Sequence, residues 1–152
     1  MSSLKQNKMY LLVLLIIPLI LVGCGKKAAT LPEVKSGEFK QLSPKQAEEF
    51  IKDAKDNKYI ILDVRGENPY KFGHIPGAIY IWYQDLDKGR TDKLPDLEQP
   101  ILVYCDYGGV SKIAAKKLVE QGYTKVYEFD GLKVWKGEVI VDDEFKEFVE
   151  EK

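Results

Sequence analysis

Apolar positions along this chain recur with two different periods, and the switches between them outline a fold. Four runs are short and nearly unbroken: "YIILDV" (59–64), "AIYI" (78–81), "ILVY" (101–104) and "VYEF" (126–129). Such runs suit strands covered on both faces. "FKQL" (39–42) adds a shorter strand before them. Elsewhere the spacing becomes helical. Ala47, Phe50, Ile51 and Ala54 share one face, and Ser43-Pro44-Lys45-Gln46 ahead of them reads as a capping box with proline in the first turn. Asp56-Asn57 breaks that helix. Val110, Ile113, Ala114 and Leu118 mark a second helix, stopped by Gly122, and Phe145, Phe148 and Val149 give a terminal helix an apolar stripe. A helical turn is expected near Pro69 to Phe72, with loop and helical fragments over the charged, proline-containing stretch 84–100. Strands alternating with helices predict an α/β domain around a mainly parallel central sheet flanked by helices. In such sheets the binding crevice lies beyond the carboxyl ends of the strands.

The first residues follow neither period. Lys5 and Lys8 precede Met9 to Val22, a run without a charge. It is shorter than the roughly 20 residues a spanning helix needs, and a basic start before a short apolar core describes an export signal. "LVGC" (21–24) at its end resembles the bacterial lipoprotein signal. The resemblance implies a signal peptide over 1–23 and a lipid on Cys24; the polar stretch after it, with Pro and Gly and no apolar period, reads as a tether, so that 24–37 holds the lipidated Cys and tether and 38–152 the domain. The resemblance also implies that the protein sits lipid-anchored on the cell membrane, on the exported side of a bacterial envelope. The plainer alternative is an uncleaved anchor with an incidental cysteine.

Composition narrows the chemistry. With 23 basic and 24 acidic residues interspersed and a net charge of -1, the chain lacks the basic surface a nucleic-acid partner requires. One histidine and two cysteines do not make a metal-ligand cluster. If Cys24 carries a lipid, Cys105 has no partner for an intramolecular disulfide.

Cys105 is the residue with candidate chemistry. In "VYCDYGGVS" (103–111) it follows a buried-type strand and precedes two glycines and a helix. That arrangement sets a sulfur over a helix amino terminus, where unpaired N–H groups stabilise an anion. Gly108 and Gly109 let the loop curl into a nest of N–H groups, and Ser111 adds a possible hydroxyl donor. A carboxylate at Asp106 works against a thiolate. The plainer reading of Cys105 is a small buried hydrophobe.

Three stretches resemble the rhodanese-like family of single-domain sulfurtransferases: "LDVRGENPYKFGHIPGA" (62–78), "YCDYGGVS" (104–111) and "VYEFDGLKVW" (126–135). The resemblance implies that Cys105 takes the outer sulfur of a small sulfur-containing donor as a persulfide. It then passes that sulfur to a thiol or to cyanide. The backbone of Asp106, Tyr107, Gly108, Gly109, Val110 and Ser111 would cradle the persulfide, and no metal or organic cofactor is needed. Asp106 and Val110 stand where the family commonly carries arginines, which disfavours an anionic donor such as thiosulfate. Pro69 replaces a usual acid, leaving Glu67 as a candidate partner for Arg65. Relatives that remove phosphate need an arginine where this chain has Ser111, which excludes phosphatase and arsenate reductase readings.

The remaining candidates read as structural. His74 shapes the loop before a strand rather than forming a dyad with Cys105, and Asp63 with Arg65 makes hydrogen bonds at a strand end. Among Trp82, Tyr83, Tyr107 and Trp135, packing is expected for the two tryptophans, while Tyr107 lies inside the loop. Three functions stay open: a membrane-anchored sulfurtransferase, a non-catalytic rhodanese-like binding module at the cell envelope, and a thiol redox relay with a cysteine from another protein. No protein partner is specified.

Overall fold

The computed structural model describes residues 29–54 and 58–150. The expected signal peptide, Cys24 and the Asp56-Asn57 break lie outside these residues. Five strands form one sheet: β1 (Lys40–Gln41), β2 (Ile60–Asp63), β3 (Ile79–Tyr80), β4 (Ile101–Cys105) and β5 (Val126–Gly131). Their order is β1-β5-β4-β2-β3, and every neighbouring pair is parallel. Parallel strands need crossovers, and the helices supply them. They are α1 (Pro44–Asp53), α2 (Glu67–Phe72), α3 (Gly109–Glu120) and a terminal α4 (Lys146–Glu150). Short 3₁₀ turns occupy Asp85–Lys88 and Asp143–Phe145. Among the described residues no helix is long and apolar enough to cross a membrane.

The unbroken apolar runs are explained by cover on both sides of the sheet. Ile101 and Val103 of β4 pack with Leu62, Val64, Ala114, Ala115 and Leu118, the last three from α3. Leu102 and Tyr104, alternating with them, pack with Ile61, Phe129, Trp135 and Ala47 of α1. Strand geometry sends successive side chains to opposite faces, so each central strand feeds both layers. On β5, Val126 joins the α3 side while Tyr127 and Phe129 join the other. Glu128, between those two, therefore faces the α3 side.

Local signals place the helices where the sequence puts them. Ser43 accepts the Gln46 N–H at 3.3 Å while the Gln46 side chain accepts the Ser43 N–H at 2.9 Å, completing the capping box. Gly122, with φ of 96°, follows the end of α3. The terminal helix is shorter than its stripe suggests. Phe145 belongs to the preceding 3₁₀ turn and packs edge-on against Phe72 at 4.5 Å, whereas Phe148 stays largely exposed. Part of the stretch expected as tether touches the domain: Leu31 and Val34 pack on the α1 side of the core, and Tyr127 Oη donates to Pro32 O at 2.9 Å.

One irregularity bears on the site. Val103 pairs with Glu128, but Cys105 pairs with Gly131, so β5 carries an extra residue at Asp130, whose φ is 31°. The bulge presses Gly131 against the backbone of Cys105. A Cβ at this position would lie 2.0 Å from the Cys105 carbonyl oxygen, whereas a Cβ at Gly77, which has φ of 78°, meets nothing within 4 Å. Gly77→Ala is expected to lose about 1–2 kcal/mol, the cost of the left-handed backbone alone. Gly131→Ala must also move backbone, so its loss is expected to exceed about 3 kcal/mol. Urea unfolding of the two variants beside wild type measures both, and equal losses would contradict the close approach.

Candidate active site at the Cys105 loop

The carboxyl ends of β2 and β4 lie side by side, with Asp63 opposite Tyr104. Asp63 is fully buried, and an ionised carboxylate there requires a partner. Arg65, two residues on, supplies it. Its Nε lies 3.0 Å and 3.1 Å from the two carboxylate oxygens, its Nη2 donates to Oδ2 at 2.6 Å, and its backbone N–H donates to Oδ1 at 2.9 Å. Nη2 also donates to Gly73 O at 2.6 Å. Nη1 donates to Asp106 Oδ1 at 3.1 Å. Burial works to lower the Arg65 pKa, but the hydrogen bonds and charge of Asp63, with Asp106 beyond, outweigh it and the net shift is upward. Tyr104 lies beneath, its ring centroid 5.9 Å from the guanidinium carbon. Burial, and then the charge of Asp63, drives the Tyr104 phenol far above its ordinary pKa, and its oxygen accepts the Ile75 N–H at 3.2 Å.

This arrangement changes the expected roles of two acids. Asp106, expected from the sequence to work against a thiolate, has an Arg65 nitrogen 3.1 Å from its carboxylate, a partner the sequence does not suggest. Its carboxylate is drawn to Arg65, because Nη1 is the end of the guanidinium that Asp63 and Gly73 leave over. Glu67, the expected partner of Arg65, pairs instead with Lys71 one turn along α2 at 3.2 Å.

Cys105 ends β4, and α3 starts four residues later. Gly108 caps that helix in the left-handed region, with φ of 80° and ψ of -3°, and no side chain caps it. A Cβ on Gly108 would come within 3.2 Å of Asp130 Cα and 3.6 Å of Glu128 Oε1, so glycine is needed for space as well as for φ. The curl aims the Gly108 N–H at Cys105 Sγ, 3.1 Å away. Behind the loop, Leu132 N–H donates to Cys105 O at 2.9 Å and Lys133 N–H to Asp106 O at 3.2 Å. The start of the curl is thereby tied, at two consecutive residues, to the exit of β5.

Ser111 does not donate to the sulfur. Its hydroxyl is 2.7 Å from Glu128 Oε1 and 3.4 Å from Sγ. One proton serves one strong bond, and the buried carboxylate takes it. The thiol has two acceptors within reach, Ser111 Oγ at 3.4 Å and Asp130 O at 3.8 Å, and the nearer one, Ser111, donates to Glu128. Glu128 is not among the residues the sequence motifs single out, although an acid inside the apolar run "VYEF" is itself a signal. Burial pushes its pKa up, more than the Ser111 hydrogen bond and Lys112 lower it, and Asp130 adds to the rise.

Above the sulfur is a cavity of about 340 Å³, walled by Val64, Pro69, Trp82, Tyr83, Tyr107 and Val110, with Arg65 and Asp106 at one side. Cys105 is 3% exposed and forms its floor. Trp82 thus lines the site, contrary to the packing role expected of it, and meets Tyr83 edge-to-face at 6.0 Å. Tyr107 is 76% exposed at the rim, with Lys133 Nζ 5.8 Å from its ring centroid. Trp135 packs against Phe129 in the core, as expected. His74 does not line the cavity. It is buried, stacks on Tyr70 at 4.0 Å, holds Nδ1 3.0 Å from Tyr70 O, and pairs through its backbone with Ile140. These contacts give it the structural part its loop motif suggests.

The chain matches the model of the rhodanese-like domain over residues 46–138. It is 34% identical over 100 residues to the thiosulfate sulfurtransferase GlpE of Ectopseudomonas mendocina, spanning 65% of this chain and 86% of that protein. The GlpE sulfurtransferase of Pseudoalteromonas translucida is 38% identical over 93 residues, which is 61% of this chain and 84% of its own. Among solved structures, a rhodanese with anions from E. coli superposes with a TM-score of 0.51 at 31% identity, covering 55% of this chain and 98% of that one. A rhodanese-like domain from Anabaena shares the fold with a TM-score of 0.60 at 24% identity, over 70% of this chain and 82% of its own.

The buried Glu128 makes stability depend on pH with a definite sign. Its folded pKa lies above its ordinary value, so between the two the folded state holds a proton that the unfolded state has released. Its contribution is present below the ordinary glutamate pKa and is lost as pH rises through the folded value. Wild type is expected to lose stability relative to Glu128→Gln across that window, read from urea midpoints between about pH 4 and pH 8. Parallel curves for the two proteins would contradict the shift.

Proposed function

From the premise that this chain belongs to the rhodanese-like domain family, we propose that it is a sulfurtransferase that carries sulfane sulfur as a persulfide on Cys105. The observation that supports this reading best is the Gly108 N–H aimed at Sγ on the floor of a cavity large enough for a small donor. The positive end of α3, with no acid in its first turn, lies behind that N–H. In the first half of the reaction the thiolate lone pair forms a bond to the donor's outer sulfur. The donor's own bond to that sulfur breaks, and its electron pair leaves on the rest of the donor. The added atom extends about 2.05 Å from Sγ into the cavity. In the second half an acceptor thiolate or cyanide attacks that outer atom and Cys105 departs as a thiolate.

The donor we propose is a low-molecular-weight persulfide rather than thiosulfate. Arg65, the cation lining the cavity, is held between Asp63 and Asp106, so one positive charge faces two negative ones. The other walls are mostly apolar or aromatic and suit a neutral organic chain. We place the domain on the exported side of a bacterial envelope, held at the membrane through a lipid on Cys24. The basic start, the short apolar run and "LVGC" support that placement.

Two measurements test the reading. Reduced protein incubated with a low-molecular-weight persulfide is expected to gain one sulfur atom by intact mass, to lose it to cyanide, and to show neither change as Cys105→Ser. No gain from that donor or from thiosulfate would make the domain a binding module that keeps the fold without the transfer. Asp106→Ala removes one of the two carboxylates on Arg65 and frees its Nη1. It is expected to lower the KM for thiosulfate by about tenfold, the worth of one charge-assisted contact, while leaving the persulfide donor's KM nearly unchanged. An unchanged thiosulfate KM would refute the charge-balance account of donor choice.

A further inference from the structure

Glu128 has no part in the sulfur chemistry described so far, yet it is joined to it. Its carboxyl group is fully buried on the α3 side of β5, on a face otherwise shared with Val126 and Val103. Oε1 accepts from Ser111 at 2.7 Å, and Oε2 has no hydrogen-bond partner among the described residues. A carboxylate held by one hydrogen bond in so dry a place gains by taking up a proton. The charged groups acting on it are Lys112 on α3, which favours its ionised form, and Asp130 on β5, which opposes it. Those two also face each other at 3.8 Å. From β1 the residue in register is the neutral Gln41, and from β4 it is Val103.

We propose that Glu128 acts as the proton acceptor for the Cys105 thiol, through the hydroxyl of Ser111. The chain Sγ–Oγ–Oε1 has steps of 3.4 Å and 2.7 Å and turns at one atom that can give and receive a proton at once. As the S–H bond breaks, its proton moves to Ser111 Oγ, and the proton of Ser111 passes to Glu128. One S–H bond is lost, one carboxyl O–H bond is gained, and no electron changes hands. Every hydrogen bond in the chain survives with its polarity reversed. The thiolate then accepts from the Ser111 hydroxyl on one side and from Gly108 N–H on the other, and the protonated carboxyl donates back to Ser111. When an acceptor strips the sulfur and Cys105 leaves as a thiolate, the same proton can return. Ser111 touches the reacting sulfur. Glu128 acts through it and is a positioning residue for the proton.

The purpose of the relay rests on the sulfurtransferase reading, but its test does not. The test is the rate of alkylation of Cys105 by iodoacetamide as a function of pH. It uses the full chain and is read by mass spectrometry on the peptide that contains Cys105. A thiol and a carboxyl sharing one proton titrate as a pair. Wild type is expected to show two rises separated by a plateau. The first occurs as the pair loses its first proton and the thiolate–carboxylic acid form appears, and the second as the last proton leaves. Glu128→Gln keeps the shape of the side chain but cannot take the proton. It is expected to show a single rise and a rate at least tenfold lower in the plateau region. Ser111→Ala is expected to do the same with Glu128 in place, and Ser111→Thr, which restores the hydroxyl, to bring back two rises. A wild-type profile with one rise, superimposable on that of Glu128→Gln or of Ser111→Ala, would overturn the proposal even if the sulfur-transfer assay succeeds. Two rises in a protein that accepts no sulfur would uphold the relay and refute the transfer.

Discussion

The buried pairing of Asp63 with Arg65 is the constraint from which the site is built. Asp63 ends β2 with no exposure to water, and only a guanidinium can meet both of its oxygens while reaching elsewhere. Arg65 does so in three directions. It closes on Asp63, holds the Gly73 carbonyl in the segment leading to β3, and grips Asp106 in the loop after β4. The end of β2, the segment before β3 and the distant loop after β4 thus meet at one planar group. Removing one partner of such a pair leaves an uncompensated buried charge, a loss of about 3–5 kcal/mol. The cysteine loop inherits its position from this pairing and from the two backbone hydrogen bonds that tie it to Leu132 and Lys133.

Because the hub holds two carboxylates and one guanidinium, the positive field at the sulfur has to come from the backbone. Gly108 provides it, through a left-handed conformation and an absent side chain that together bring its N–H within 3.1 Å of Sγ. A backbone donor differs from an arginine in what it favours. It stabilises a charge on the sulfur it touches and adds little attraction for an anion still outside. That difference divides the stabilisation of a cysteine persulfide from the recruitment of its donor. On the proposed reading, a loop with Asp106 and Val110 relies on the first property rather than the second.

Much of this was legible in the sequence, and the omissions have a common cause. The strands announced themselves because both faces are covered, and the first helix because its capping box is local. Cys105 could be placed at a strand end because the apolar run stops there. The partner of Asp106 could not be read, since Arg65 lies 41 residues away and proximity in the chain suggested only the sulfur. Glu67 is the candidate the family resemblance leaves for Arg65 once Pro69 replaces the usual acid, but on α2 the i,i+4 spacing brings it to Lys71 instead. Trp82 looked like core by residue type, but the loop after β3 turns it towards the cavity. Ser111 was recognised as a hydroxyl near the sulfur. The direction of its hydrogen bond depends on Glu128, and that contact exists only once β5 is laid beside α3.

Glu128 then stands out against the rest of the sheet. Alternation along β5 sends it to the layer that elsewhere holds Val103, Leu62 and Leu118, where an apolar side chain would pack without desolvation. An acid in that place lowers stability at neutral pH, and the Ser111 hydroxyl compensates only one of its oxygens. Local cost of this kind is found at functional sites more than elsewhere in a fold. Here it sits at the end of a two-step hydrogen-bond chain from the one cysteine among the described residues. The same burial that makes the carboxylate costly makes it a strong proton acceptor, so the destabilisation and the chemistry have a single physical origin.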